Sequence, residues 1–274
     1  MAFDGITIAN IVKELNDTIL NGRIAKIAQP ENDELLLTIK PAKGQVRLVI
    51  SASASLPLIY LSRDNKPSPM TAPNFCMLLR KHIANGRIVD IRQPKLERIL
   101  IFTIEHLDEM GDLCRKDLVM EVMGKHSNLI FCTEDGTIID SIKHISAQVS
   151  SVREVLPGRT YFIPDTQSKL DPLTVDCDAF IQTLREKPTV LSKAIYTSFT
   201  GISPVTAEEI CFLSGLDSAL PPGEYSEDVL THLFNQFSIY LSAVKDGNFQ
   251  PQIYYSGQEP KEFSALPLTH FSEY

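Results

Sequence analysis

A chain of 274 residues with 43% hydrophobic side chains is too long for one small core and too apolar for disorder, so about two soluble domains are expected. Its formal charge of −8 is uneven: residues 1–165 carry 20 Lys+Arg against 20 Asp+Glu and residues 166–274 carry 6 against 14, which excludes a global basic field and leaves nucleic-acid binding to a local patch of the first part. No apolar run approaches the roughly 20 residues of a membrane span, the acidic start MAFDGITIAN is unlike a secretory signal, and Cys76, Cys114, Cys132, Cys177 and Cys211 lack any CxxC pair, which fits the reducing cytosol and neither disulfides nor zinc.

An amphipathic helix opens the chain, with Ile8, Ile11, Val12, Leu15 and Ile19 at helical spacing. It ends at Asn21-Gly22, where Gly22 is read as a left-handed C-cap. A short strand, a QP turn and the strands ELLLTIK (34–40), VRLVIS (46–51) and LPLIYLS (56–62) follow. The pattern then recurs. NGRIAKIAQP at 21–30 and NGRIVDIRQP at 85–94 share seven of ten residues. The second copy has its own helix, with Phe75, Leu78, Leu79 and Ile83 on one face. It continues into RILIFTIE (98–105), DLVMEVM (117–123) and NLIFCT (128–133), with a longer hairpin at HLDEMGDLCRK. Against chance similarity of two helix–strand junctions, this reads as an internal duplication with half-repeats at about 6–62 and 73–133. The expected fold class is α+β: a helix plus antiparallel strands, doubled into one sandwich or barrel-like domain.

A Pro-rich stretch, VLPGRTYFIPDTQSKLDPL (155–173), reads as a linker. Helical patterns follow in VDCDAFIQTLRE, VLSKAIYTSF, TAEEICFLSG and SEDVLTHLFNQFSIYLSAVKDG. GISPVTAEEI (201–210) joins two of them by a tight turn, with Pro204 at a helix start and Glu208 and Glu209 in early turns favoured by the macrodipole. After about 248 a β-like or irregular tail is expected. It stops at Tyr274 without a capping element, as at a boundary within a longer protein.

Catalytic patterns are scarce. His82, His106, His126, His144, His232 and His270 show no metal-ligand spacing, and no GxSxG, P-loop or GxGxxG occurs, so neither enzyme, metal nor cofactor is expected. Asp108 and Glu109 read as a solvated loop. The unusual segment is EVMGKHSNLI (121–130), where the first copy has the chemically quiet SASASLPLI. Gly124 permits a turn that carries Lys125, His126, Ser127 and Asn128. A cation, an imidazole, a hydroxyl and an amide can hold phosphates and read base edges, although an ordinary polar turn has the same composition. After QP the first copy has ENDE and the second KLER, with Glu97 and Arg98 adjacent. Arg98 offers a planar fork for phosphate or guanine and Glu97 an acceptor for base amino groups, the alternative being a surface ion pair or cross-strand partner. Arg80 and Lys81 close the second helix, where they suit its C-terminus or, more weakly, a phosphate.

MAFDGI, PNFCMLLRKHIANGRI (73–88), QPKLERIL (93–100), EVMGKHSNLI, VLPGRTY (155–161) and GISPVTAEEI together resemble the NFACT family. These are the RqcH-type ribosome quality-control factors, also labelled fibronectin-binding protein A. The resemblance spans essentially the whole chain. It implies an NFACT-N domain over 1–170, an all-α helix-hairpin-helix domain over 171–248, and a tail at 249–274 leading to a coiled coil beyond Tyr274. It also implies similarity to the N-terminal domain of formamidopyrimidine-type DNA glycosylases, whose catalytic Pro-Glu start is replaced here by Ala2 and Phe3, so a base-excision role is not expected.

The function so implied is a cytoplasmic, ribosome-associated factor without membrane or DNA partners. It binds an obstructed large subunit carrying peptidyl-tRNA and recruits tRNA, in bacteria alanyl-tRNA, for mRNA-free tailing of the stalled chain. The family's Asp-Arg pair falls on Glu97-Arg98, a departure that lengthens the carboxylate arm by one methylene. Its MG(R/K)HSN signature falls on Met123 to Asn128. The implied tRNA-binding set is Glu97, Arg98, Glu121, Met123, Lys125, His126, Ser127 and Asn128, with Arg80 and Lys81 as weaker candidates. The alternative reading is a fibronectin-binding surface adhesin, for which the sequence supplies no signal, anchor or disordered repeat.

Overall fold

The computed structural model describes residues 3–165 and 167–271. The chain divides into two compact units that interleave in sequence. One comprises Ile11–Pro94 and Ile99–Thr166, the other Met1–Asn10, Lys95–Arg98 and Gln167–Tyr274. The former holds 18 Lys+Arg and 18 Asp+Glu; the latter holds 8 and 16, so it carries the entire acid surplus.

The sheet unit is built from the duplication. Its strands are β1 (Arg23–Glu31), β2 (Glu34–Lys40), β3 (Val46–Ser51), β4 (Leu58–Ser62), β5 (Arg87–Arg92), β6 (Ile99–Leu107), β7 (Leu113–Glu121), β8 (Asn128–Thr133) and β9 (Ile138–Ser141). They form one antiparallel ladder in the order β4-β3-β2-β1-β5-β6-β7-β8-β9. Each half-repeat thus supplies a four-stranded meander, and β9, which the sequence pattern did not single out, extends the second. Of the sandwich or barrel-like arrangements expected, barrel closure does not occur among the described residues, because β4 and β9 end the ladder as separate edges. Continuous apolar runs explain the burial: Leu35, Leu36 and Leu37 of β2 are all buried, so both faces of that strand are covered.

The two copies of NGRI meet at the centre of the ladder, where β1 and β5 share the single pair Arg23–Arg87. Asn21 N–H donates to Ile88 O (2.7 Å) and Ile88 N–H to Gly22 O (2.9 Å). In mirror fashion Asn85 N–H donates to Ile24 O (2.8 Å) and Ile24 N–H to Gly86 O (2.8 Å). The left-handed residues are Asn21 and Asn85, both at φ 64°, and not the glycines that follow. The glycines are needed for space: a Cβ at Gly22 would lie 2.7 Å from Ile39 Cγ2, and one at Gly86 2.8 Å from Ile104 Cγ2. Helix α2 (Asn74–Ile83) packs through buried Phe75, Cys76, Leu79 and Ile83, and its Arg80 Nε donates to Ile27 O of β1 at 2.8 Å.

The other unit contains α3 (Cys177–Arg185), α4 (Leu191–Ser198), α5 (Pro204–Leu213) and α6 (Glu227–Lys245). Asp176, Ser203 and Ser226 cap α3, α5 and α6 by accepting from backbone N–H groups three residues on. Phe180 lies at the core, with ring centroids 5.2 Å from Phe199 and 4.9 Å from Phe237. The expectation of a contiguous all-α helix-hairpin-helix domain is corrected. This unit recruits Met1–Asn10 and Lys95–Arg98, and its β-hairpin, β10 (Gln252–Ser256) with β11 (Glu259–Ser264), falls in the segment where a β-like or irregular tail was expected. Glu209 also departs from the macrodipole reading, since it is fully buried and binds residues 269–270.

Candidate functional site

The sequence-predicted residues fall into two local arrangements, one in each unit, and each is described by itself.

In the sheet unit, strands β7 and β8 end at the pair Glu121–Asn128, and a single 3-10 turn, Gly124–His126, connects them. Gly124 takes φ 55° with no atom within 4 Å of where a Cβ would stand, so its backbone angle, not crowding, calls for glycine. The polar residues of the motif then divide sharply. Lys125 and His126 are exposed. Ser127 is fully buried, and its Oγ accepts from Met123 N–H at 2.9 Å. Asn128 is buried as well: its amide donates to Lys143 O (3.0 Å), and its Oδ1 accepts from the backbone N–H groups of Leu129 (2.9 Å) and Lys143 (3.1 Å). Met123 is half-buried against a cluster that includes Ile99, Ile101 and Val155.

Glu121 is fully buried and carries the bracing further. Its carboxylate accepts from Arg153 Nη2 and, at 2.9 Å, from the Tyr161 hydroxyl. The Arg153 guanidinium lies 5.5 Å from the Tyr161 ring centroid and also donates to Phe162 O. Burial, reinforced by the Glu121 charge, pushes the Tyr161 hydroxyl far above its ordinary pKa, so it remains a hydrogen-bond donor. VLPGRTY, read as a linker, is therefore the wall that holds EVMGKHSN. Sequence reading missed Arg153 and Lys143, which carry no local motif of their own.

In the other unit KLER is a clamped segment. Lys95 adopts φ 51°, and Leu96 is buried in the helical core. A Cβ at Gly5 would stand 2.0 Å from Leu96 O, and one at Gly201 (φ 79°) 2.1 Å from it. Only glycine at both places lets this carbonyl approach. Gly5 N–H donates to Gly201 O at 3.0 Å, and Asp4 Oδ1 caps the first helix, α1 (Gly5–Ile19), by accepting from Thr7 N–H at 2.8 Å. Gly5, Leu96 and Gly201, from three separate motifs, thus converge on one carbonyl. Past it, Glu97 is half-buried and Arg98 exposed. Lys169, read as linker, is close enough to feel both. Burial first, then the Arg98 guanidinium and Lys187, push its amine below the ordinary range, against the pull of Glu97. A small cationic group on an otherwise acidic unit can meet a phosphate while its neighbouring carboxylate addresses a donor.

The weaker candidates both have partners within the sheet unit. Arg80 donates through Nε to the Ile27 carbonyl. Lys81 pairs with Glu109 at 3.0 Å, both side chains being largely exposed. Among the described residues no group of three or more His, Cys, Asp or Glu could hold a metal ion, and no helix is long and apolar enough to cross a membrane.

Comparison with known proteins shows the family of the chain. A family model described as NFACT N-terminal and middle domains matches residues 4–274. The Rqc2 homolog RqcH of Bacillus subtilis is 36% identical over 98% of this chain, which spans 45% of that relative. The chain thus spans less than half the length of that relative. Among solved structures, the N-terminal part of the fibronectin/fibrinogen-binding protein from Streptococcus suis matches with TM-score 0.80 at 29% identity, covering 97% of this chain and 91% of its own. The fibrinogen binding protein from Staphylococcus aureus matches with TM-score 0.81 at 27% identity, covering 99% and 92%. On a match that runs from residue 4 to residue 274, the chain belongs to the family of NFACT N-terminal and middle domains.

Proposed function

We propose that this chain is the tRNA-binding part of a ribosome-associated quality-control factor, a binding module and not a catalyst. In this reading the whole protein engages obstructed large subunits carrying peptidyl-tRNA. It brings in tRNA, alanyl-tRNA by the family resemblance, for tailing of the stalled chain in the cytoplasm. The observation that carries it is the division of labour in the EVMGKHSN hairpin. Glu121, Ser127 and Asn128 spend their polar atoms inward, which leaves a rigid turn presenting Lys125 and His126 to solvent. Rigid presentation lowers the entropy lost when a phosphate is bound. Glu97 and Arg98, held by the Gly5–Gly201 clamp, supply a second pair of RNA-facing groups. The roles of the eight sequence-predicted residues then differ: Lys125, His126, Arg98 and Glu97 touch RNA, whereas Glu121, Met123, Ser127 and Asn128 position them.

Capture of the full-length protein from cells, followed by sequencing of the bound RNA, tests this. Enrichment of one tRNA species together with large-subunit proteins is expected. Recovery of bulk RNA without tRNA enrichment would overturn it. The solved relatives described as fibronectin- or fibrinogen-binding support a second reading, adhesion to those ligands. Immobilised fibronectin and fibrinogen distinguish the two, since binding that survives Lys125→Ala and Arg98→Ala belongs to adhesion alone.

A further inference from the structure

The longer β6–β7 hairpin of the second half-repeat holds a cluster that the RNA-facing groups do not use. Strand register sets Cys114 directly opposite His106, and Lys116, two residues along β7, shares that face. Cys114 Sγ lies 3.2 Å from His106 Nε2. Lys116 Nζ lies 3.2 Å from the same Nε2 and 3.6 Å from the sulfur.

The tautomer follows from the neighbours. His106 Nδ1 sits 3.0 Å from the Leu107 carbonyl oxygen, which can only accept, so the ring proton is on Nδ1 and the Nε2 lone pair is shared by the Cys114 thiol and the Lys116 ammonium. Burial, aided by the Lys116 charge and outweighing the Leu107 hydrogen bond, pushes this imidazole below its ordinary range, so it is neutral at pH 7. Beside it opens a cavity of about 420 Å³ whose lining includes Lys81, His82, His106, Asp108, Glu109 and Lys116. Cys114 is half-exposed, whereas Cys76, Cys132 and Cys211 are buried. Burial pushes the thiols of Cys132 and Cys211 up to about 12. Cys177, also half-exposed, has Thr231 Oγ1 at 3.9 Å and serves as the internal control.

We propose that Cys114 is a modification site for low-molecular-weight disulfides, with His106 as its base and Lys116 as the counter-charge of its thiolate. The thiol proton passes to His106 Nε2, and the Cys114 sulfur attacks one sulfur of the disulfide. A new S–S bond forms as the old one breaks, and the departing thiolate recovers the proton from His106. Exchange proceeds through the thiolate, and a proton acceptor and a cation both stand within reach of the Cys114 sulfur.

The test incubates the reduced chain with glutathione disulfide at pH 7 and follows each cysteine by peptide mass mapping. Cys114 should be thiolated on the order of tenfold faster than Cys177. His106→Gln and Lys116→Met should each slow Cys114 several-fold and leave Cys177 unchanged. Without any substitution, Cys114 should also react faster in the native chain than in the same chain unfolded in urea. Equal rates at Cys114 and Cys177, unchanged rates in both variants, or a faster reaction in urea would each overturn the proposal.

Discussion

Asn21 and Asn85 stand 64 positions apart, yet both sit at φ 64°, and each donates its N–H across the seam, to Ile88 and Ile24 respectively. The sequence repeat is therefore a structural pairing: each copy closes the other. An L-residue other than Asn or Gly is strained at such an angle. Asn21→Ala and Asn85→Ala should each cost about 1 kcal/mol, and the corresponding Gly substitutions much less. Urea unfolding monitored by circular dichroism reads this, and a free Asn→Ala change at either site would contradict it.

The Leu96 clamp gives a sharper expectation. Gly201→Ala forces a Cβ to within 2.1 Å of a carbonyl and demands a left-handed alanine, so a loss above about 2 kcal/mol is expected. Gly44 has nearly the same φ, 78°, with nothing within 4 Å. Gly44→Ala should therefore cost only the backbone strain, about 1 kcal/mol. The difference between the two melting curves isolates the clamp, and equal losses would count against it.

Glu121 and Lys125 should behave as opposites although they lie four residues apart. Glu121→Gln strands the nearly buried Arg153 charge and should destabilise the chain by about 3 kcal/mol. Lys125→Ala removes an exposed side chain and should stay within about 0.5 kcal/mol of the parent. Guanidinium unfolding of both variants is the check.

Acid should release the end of the described chain. Burial alone would raise the Glu209 carboxyl, but hydrogen bonds from Thr269 and His270 outweigh it and hold the group below its ordinary range. A folded pKa depressed below the unfolded one contributes stability that is complete above the unfolded value, about 4.3, and is lost as pH falls through the folded value. Hydrogen exchange at residues 268–271 should therefore rise below about pH 4 in the parent. In Glu209→Gln it should already be raised at pH 7.

Period and apolar spacing made the elements legible: β2, β3 and β8 fall where alternating or continuous apolar runs put them, and the duplication foretold two meanders. The seam was not legible, because nothing in NGRI says that its partner is the other NGRI. The left-handed position was misread by one residue, since Asn and Gly both tolerate that backbone and only the crowding at Ile39 and Ile104 decides between them. At the candidate site the motif marked a segment but not the direction of each side chain. Ser127 and Asn128 read as surface polar groups until β8 and Lys143 are placed around them. Lys169 and Arg153 were hidden because their meaning lies wholly in long-range neighbours.

The central claim is tested most directly by tRNA binding of the purified chain across a salt series, for the parent, Arg98→Ala and Lys125→Ala. Each variant should bind more weakly at low salt, with the slope of log affinity against log salt reduced by about 1. Unchanged affinity and slope in both variants would contradict the account.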